Sequence, residues 1–327
     1  MQVLGAVLAV LSAATFALTN ATGRRGVITG TPVQGMVISI PVGLLCFVMV
    51  ALLTGALESL SRISLAAFAA LCAAGVLHFV IGRYCNFRAS QAAGVNLTAP
   101  VMQLNAVVTL VLAVVVLREP CTMLQLFGGI LMVAGSLVTQ RASQPVVESE
   151  RSSSPTFAPR IAAGFFFASI AALMYGTSPI IVRQALLDAG PLSGLAGGSI
   201  AYAAATVAVT LALFIPSLRR NVMQVRGDNA RWFVYSGVFV AAAQGFLYSA
   251  LAVAPIMLVA PLLQLSLVFR FLFALLLNPH HELFGAMVVF GSIVSIVGAC
   301  AVSIDTDLIL GTLALPQALA GMLGTKF

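Results

Sequence analysis

Long, nearly uncharged apolar runs are the feature of this sequence that most limits its fold. A window of roughly 19 residues separates ten such runs, each about 18–24 residues long. They lie near residues 2–20, 34–55, 64–87, 93–116, 121–140, 159–182, 193–216, 231–252, 256–278 and 282–303. A helix of this length crosses the hydrocarbon core, whereas a membrane β-strand would be shorter and would alternate in polarity. The sequence therefore predicts an all-α integral membrane protein with ten transmembrane helices.

The composition excludes the water-soluble classes of protein. Of the 327 residues, 61% are hydrophobic and 8% are charged, and the mean hydropathy is +1.09. Soluble domains carry about 25% charged residues, so this chain has too few to cover a surface in water. Its net charge of +7 comes from scattered arginines rather than a basic patch, which argues against nucleic acid as a partner. The expected partners are the lipid bilayer and a small-molecule substrate, in a multi-pass protein of the cell membrane.

A polar stretch near the middle divides the chain into two halves. It is rich in Ser, Pro and Glu, which is the composition of a linker. On its two sides, APVMQLN at residues 99–105 matches APLLQLS at residues 260–266. The predicted domains are a first five-helix repeat (1–140), a linker (141–158), a second five-helix repeat (159–303) and an apolar C-terminal tail (304–327). An eleventh span within residues 308–325 is the less favoured alternative for the tail.

The odd number of spans in each half fixes how the halves are related. After five crossings the second half must enter the membrane upside down, which gives two inverted repeats, the plan of many secondary transporters. Apolar segments also resemble one another by chance. A Pro and a Gln repeated at matched spacing favour a true duplication.

Two segments resemble the EamA-domain transporters of the drug/metabolite transporter superfamily. They are residues 88–135, which begin RASQAAGVNLTAP, and residues 171–186, AALMYGTSPIIVRQAL. The turn at residues 117–120 reads Leu-Arg-Glu-Pro, with Arg where the family usually has Gly, and the turn at residues 278–282 departs further. The resemblance extends over roughly residues 1–303 and implies a ten-span fold with transport activity. It does not imply one solute, because members move amino acids, sugars, nucleotide derivatives and drugs.

Two prolines and two glutamines lie at matched positions in the fourth and ninth runs. Pro100 and Pro261 predict helix kinks, because proline lacks an N–H and clashes with the preceding turn. Gln103 and Gln264 follow three residues later and are predicted to bind the substrate. The alternative for the prolines is the ordinary occurrence of proline in transmembrane helices, and the alternative for the glutamines is hydrogen bonding between helices.

Three basic side chains within apolar runs are candidates for chemistry. Arg270 lies well inside the ninth run, where an arginine costs roughly 2.5–3.5 kcal/mol on insertion scales. Arg83 or Arg270 would hold a carboxylate or phosphate, and His78 is a candidate proton site. The alternatives are structural pairing or snorkelling for Arg270, interface anchoring for Arg83 and a packed, hydrogen-bonded role for His78.

Further substrate contacts are predicted from the repeat. Arg83 aligns with Gln244 and Phe87 aligns with Tyr248, so the third and eighth spans present polar or aromatic faces at matching places. Tyr175 lies on the sixth span. Gln244, Tyr248 and Tyr175 are therefore predicted to shape the site.

The acidic residues and the absent motifs exclude other mechanisms. None of the nine acids lies at the middle of a predicted span, so there is no membrane carboxylate for the proton–cation exchange of small multidrug pumps. No metal or disulfide spacing of cysteines, HExxH motif, P-loop or GxSxG motif occurs. We therefore expect no catalytic residues, no metal site and no cofactor, and we do not expect an enzyme.

Together these observations predict a secondary transporter that moves a small polar metabolite, amino-acid-like or an organic anion, by alternating access. The alternatives are a broad-specificity drug/metabolite exporter and a non-transporting membrane scaffold subunit. Facilitated exchange and a proton gradient both fit as the driving force. Eleven loop cations fall on one side and four on the other, which predicts external termini, whereas the resemblance implies cytoplasmic termini.

Overall fold

Helices make up nearly all of the chain that the structure describes. The computed structural model describes residues 2–117, 122–135, 137–138, 159–186, 193–253, 262–263, 265–277, 286–303 and 322–325. No β-strand occurs within these ranges, and the all-α class is confirmed for them. The predicted linker and most of the predicted tail lie outside them.

The described residues form thirteen α-helices. They are α1 (Gln2–Thr29), α2 (Pro32–Leu53), α3 (Leu65–Gly75), α4 (Arg83–Ala93), α5 (Val95–Met102), α6 (Asn105–Leu117), α7 (Met123–Gly135), α8 (Ile161–Leu186), α9 (Ser193–Ala212), α10 (Pro216–Met223), α11 (Gly227–Val253), α12 (Ser266–Leu277) and α13 (Ala286–Ser303). A 3₁₀ helix covers Ala56–Arg62, and a π-helical turn, Val76–Gly82, joins α3 to α4 in one continuous span.

Local sequence explains where several helices begin and end. Before α2, the Thr31 hydroxyl accepts from the N–H of Gln34 at 3.3 Å, and the Gln34 amide oxygen accepts from the N–H of Thr31 at 3.0 Å. This reciprocal cap is followed by Pro32, whose missing N–H costs nothing in a first turn. Before α3, the Ser64 hydroxyl caps the helix with a single bond, accepting from the N–H of Ala67 at 3.2 Å. Gly94 ends α4 at φ +84°, a conformation that disfavours other residues.

Six helices among the described residues are long and apolar enough to cross a membrane. They are Leu4–Thr29, Pro32–Leu53, Leu65–Ala93, Val95–Val116, Ile161–Leu186 and Ser193–Ala212. These helices support a multi-pass membrane protein. The prediction of ten spans stays a prediction.

The first helix is longer than its sequence predicts. The first span was expected to end near residue 20, with Arg24 in a loop, but α1 continues to Thr29. The Arg24 side chain is 2% exposed, and its Nη1 donates to the carbonyls of Ser90 at 2.6 Å and Gln91 at 3.3 Å. Those carbonyls belong to the last turn of α4, where intrahelical donors run out. Arg24 therefore joins α1 to α4 and is not a loop cation.

Helices from the two halves pack on one another in matched pairs. α1 lies along α11, and the span formed by α3 and α4 lies along α8. α2 packs on α11 in the same way that α3 packs on α9. α2 also crosses α9.

The contacts give the direction of each pair. Two helices are antiparallel when the residue numbers of their contacts rise along one helix and fall along the other, and this holds for α1–α11, α4–α8 and α2–α9. The numbers rise together in α2–α11 and α3–α9, which are therefore parallel. The antiparallel contacts are Ser12–Ala243 and Thr19–Ser236, Gly82–Tyr175 and Ala93–Gly164, and Gly43–Tyr202 and Phe47–Gly198. The parallel contacts are Gly35–Phe233 and Ser39–Gly237, and Leu71–Gly197 and Gly75–Ala201. Hence α1, α3, α4 and α9 point one way, and α2, α8 and α11 point the other way.

Candidate functional site

A group of polar side chains lies where the π-helical turn and α4 meet α8 and α11. We call it the central polar cluster; it consists of His78, Arg83, Asn86, Tyr175, Ser178 and Gln244. Four of these residues were predicted from the sequence to line the site, and the structure brings them together around the π-helical turn. Wide turns of this kind occur mostly as single turns within α-helices, and frequently at functional sites.

Arg83 is the cation of this cluster. Its side chain is 4% exposed, its Nε donates to the Ser39 hydroxyl at 2.9 Å, and its Nη2 donates to the hydroxyl and carbonyl of Ser236 at 3.1 and 3.3 Å. The guanidinium carbon lies 5.0 Å from the centre of the Phe87 ring. Interface anchoring was one expectation for Arg83 and is wrong, because the residue is buried at the start of α4 inside a continuous span. Its partners are neutral groups.

No carboxylate neutralises Arg83 within the part of the chain that the structure describes. The acids found there are Glu58 and Asp228, and both are exposed. Asp228 pairs with Arg231, 3.3 Å away. A buried guanidinium held only by hydroxyls, a carbonyl and an aromatic face keeps its full positive charge, and this charge attracts an anionic group.

His78 lies in the π-helical turn and contacts both α8 and α11. Its Nδ1 is 2.7 Å from the Ser178 hydroxyl, and its Nε2 is 3.4 Å from the Gln244 amide nitrogen. An amide nitrogen can only donate, so the neutral ring that satisfies both contacts carries its proton on Nδ1 and accepts at Nε2. The Tyr175 ring packs against His78 at a tilt of 41°, with centroids 4.6 Å apart.

Aromatic rings continue from His78 towards α2. Phe79 meets His78 edge-on at 4.7 Å, Tyr202 stacks on Phe79 at 3.9 Å, and Phe47 lies 5.1 Å beyond. Tyr202 is 1% exposed and interacts electrostatically with Arg83. The ring series forms an aromatic wall beside the central polar cluster.

Tyr175 is held between an amide and a glycine. Its hydroxyl lies 3.5 Å from the Asn86 amide nitrogen, which also donates to the Asn20 side-chain oxygen at 2.9 Å. A Cβ at Gly82 would lie 2.7 Å from the Tyr175 ring, so a residue without a side chain is required there. Tyr175 interacts electrostatically with both Arg83 and Arg270, which puts the two predicted cations near one phenol.

Arg270 approaches the same region from α12. Its Nε is buried and has no hydrogen-bond partner. Ser266, one turn earlier on the same face, is buried as well. A buried donor without a partner is costly, and an acceptor group placed at this Nε would relieve that cost.

Gln103 follows a break in the fourth span. α5 ends at Met102 and α6 begins at Asn105, so the chain turns three to four residues after Pro100. Gln103 is 4% exposed, and its amide nitrogen is buried without a partner. Pro100 itself lies inside α5, the interruption falls at residues 103–104, and a kink caused by Pro100 stays a prediction.

Three predicted residues fall outside what the structure describes. They are Pro261, Gln264 and the side chain of Tyr248. Conversely, sequence reasoning passed over Ser39, Ser236 and Asn20, which bind Arg83 and Asn86. Isolated hydroxyls are common in membrane helices, and only their meeting point in space distinguishes these from the others.

Among the described residues, no group of three His, Cys, Asp or Glu side chains lies close enough to bind a metal ion. The donors that the central polar cluster offers are a guanidinium, amides, hydroxyls and an imidazole. These groups bind polar and anionic solutes by hydrogen bonding.

Comparison with known proteins agrees with this architecture. Residues 3–141 match the EamA-like transporter family. No curated protein matches the chain. Nine chains of solved structures match, and one, a crystal structure of a protein, has a TM-score of 0.60 over 95% of this chain and 98% of its own, at 16% sequence identity. That similarity shows the fold alone.

The helices and the family match together define a multi-pass membrane transporter. The EamA-like transporter family, which residues 3–141 match, is part of the drug/metabolite transporter superfamily. The resemblance noted in the sequence is thereby confirmed. Members of this family are transporters rather than enzymes.

Proposed function

We propose that this protein is a secondary transporter that moves a small anionic or zwitterionic metabolite, amino-acid-like or an organic acid, across the cell membrane by alternating access. The observation that carries the proposal is Arg83, a buried cation whose described partners are all neutral. Burying an arginine in a membrane is expensive, and the binding of a carboxylate or phosphate offsets that cost.

The architecture that we propose has ten spans in two inverted five-helix repeats. It is supported by the directions of the packed helices, because α8, α9 and α11 run opposite to α1, α2 and the α3–α4 span, respectively. Reversed equivalents are what an inverted duplication requires. By this symmetry, Pro261, Gln264 and Tyr248 would correspond to Pro100, Gln103 and Phe87.

Six of the predicted site residues have a stated role in the proposal. Arg83 binds the anionic group of the solute, Tyr175, Gln103 and Gln244 contact its polar atoms, and Arg270 supplies a second positive charge. His78 is the candidate proton site. Because Arg83 is almost fully buried, the solute reaches it only when helices from the two halves move apart, as alternating access requires.

The test is solute counterflow in proteoliposomes with amino acids, organic acids, nucleosides and cationic drugs. We expect exchange of carboxylate-bearing solutes, and we expect Arg83→Gln to reduce it at least tenfold. Arg88→Gln is the matched control: Arg88 is on the same helix but binds Gln91 and lies over Phe167. Exchange of lipophilic cations alone would favour a broad-specificity drug exporter, and no exchange by folded protein would favour a scaffold subunit.

A further inference from the structure

One end of the helix bundle carries a concentration of exposed arginines. They are Arg25, Arg160, Arg219, Arg220, Arg226 and Arg231. Hydrogen bonds place the helix termini that bear them together: Asn221 accepts from Thr31, and the N–H of Arg160 donates to Ala92 at 2.7 Å. We call this region the arginine end.

The short helix α10 at the arginine end combines charge with exposed apolar surface. Phe214 is 81% exposed and Met223 is 74% exposed. These side chains and two arginines line a cleft of about 360 Å³. The cleft is lined by Leu213, Phe214, Pro216, Arg219, Arg220 and Met223.

The α10 helix is firmly attached to the bundle. The Thr31 hydroxyl donates to the Asn221 side-chain oxygen at 2.6 Å, and the Gln34 amide donates to the Asn221 carbonyl at 2.8 Å. Both partners belong to the cap of α2. The cleft is therefore a fixed feature that a ligand finds already formed.

Aromatic residues near the start of α11 mark the level of the membrane surface. Trp232 and Tyr235 meet edge-on at 5.8 Å, Arg231 lies 5.9 Å over the Trp232 ring, and Tyr235 is exposed. Trp and Tyr concentrate where lipid headgroups meet acyl chains. Residues 224–226 alone separate α10 from α11, so the cleft lies close to this level.

Charge at the cleft is uncompensated within the described residues. Asp228 is the acid found at the arginine end, and it pairs with Arg231 at 3.3 Å. Arg219 and Arg220 thus face the cleft beside Phe214 and Met223. Guanidinium groups bind phosphate through paired hydrogen bonds, and apolar side chains at the same depth contact an acyl chain.

We propose that the α10 cleft is a binding site for an anionic phospholipid, with Arg219 and Arg220 on the headgroup phosphate and Phe214 and Met223 against the acyl chain. The site is separate from the central polar cluster. The proposal of a lipid site does not depend on which solute the protein transports.

The test uses the full-length protein in neutral detergent and native mass spectrometry with phosphatidylglycerol, phosphatidylcholine or glycerol 3-phosphate. We expect phosphatidylglycerol to bind at least tenfold more tightly than the other two. Arg219→Gln/Arg220→Gln should weaken this binding about tenfold or more, since each basic residue near an anionic lipid surface contributes roughly fivefold. Phe214→Ala/Met223→Ala should also weaken it.

The matched control is Arg25→Gln/Arg160→Gln, which removes two exposed charges from the same end but outside the cleft. This variant should bind phosphatidylglycerol normally. Equal losses in the two arginine pairs would mean diffuse attraction and would overturn the site. Equal binding of phosphatidylcholine, or tight binding of glycerol 3-phosphate, would overturn it as well. The melting temperature of each variant is measured as well, and an unchanged value shows that a loss of lipid binding does not come from misfolding.

Discussion

Gly75 and Gly237 make the same contact in opposite halves of the bundle. A Cβ at Gly75 would collide with the backbone carbonyl of Ala201, and a Cβ at Gly237 would lie 2.8 Å from that of Ser39. The two glycines are separated along the chain by the same number of residues as their two partners. The close crossing of α3 with α9 is therefore repeated by that of α11 with α2.

Replacing either glycine should force these helices apart. We expect Gly75→Ala and Gly237→Ala to lower the unfolding free energy by about 1–3 kcal/mol each, because backbone atoms cannot yield as a flexible side chain can. Thermal melting of the purified protein in detergent measures the effect. Gly245→Ala is the control, because nothing lies within 4 Å of its Cβ position, and it should be neutral or slightly stabilising. Equal melting of all three variants would contradict the close crossings.

The same substitution should destabilise the protein at Arg24 and leave its stability almost unchanged at the neighbouring Arg25. Arg24→Met leaves the Ser90 and Gln91 carbonyls without their buried donor and should destabilise the protein by about 1–3 kcal/mol. Arg25→Met removes an exposed charge and should change stability by less than about 0.5 kcal/mol. Reversible unfolding in mixed micelles compares the two variants. Similar losses of stability in the two variants would show that the bonds from Arg24 to the end of α4 do not stabilise the protein.

His78 should determine the response to a pH gradient. In proteoliposomes, a pH gradient imposed across the membrane is expected to accelerate solute uptake by the unmodified protein. The reason is that the imidazole can bind a proton on one side of the membrane and release it on the other. His78→Asn should abolish this acceleration while counterflow, which needs no net proton movement, continues. Ser178→Ala keeps the imidazole and should retain the gradient response. A gradient response that survives in His78→Asn would remove His78 as the proton site.

The Tyr175 hydroxyl should matter more for the solute than for the fold. Its contact with Asn86 spans 3.5 Å, the outer limit of a hydrogen bond, so its loss in Tyr175→Phe should cost less than about 1 kcal/mol. Transport should show a KM raised several-fold with little change in melting temperature. Tyr235→Phe, at an exposed position, should alter neither quantity. Unchanged KM in Tyr175→Phe would place the solute elsewhere.

Much of the architecture follows from the sequence, because apolar length and repeated Pro and Gln positions depend on local composition. The positions of Arg24 and Arg83 do not follow. Each resembles a loop or interface anchor in sequence, yet each is buried because carbonyls or hydroxyls from distant helices surround its guanidinium.

Partners of this kind lie 44 to 153 residues away from Arg83. No periodicity within one helix encodes such a distant contact. The groups that solvate a charge inside the membrane therefore depend on how the helices pack, and the sequence of one helix does not predict them.

The π-helical turn at Val76–Gly82 has a consequence for the winding of its span. Bonding from residue i to i+5 takes up about one residue more than an α-helical turn does, so the α-helix on each side of the wide turn keeps its own facing across the extra residue. Gly75 packs on α9 on one side of the turn, and Arg83 donates to Ser39 and Ser236 on the other side. Deleting a single residue within the turn would close it into an ordinary α-helical turn and leave the guanidinium facing both hydroxyls.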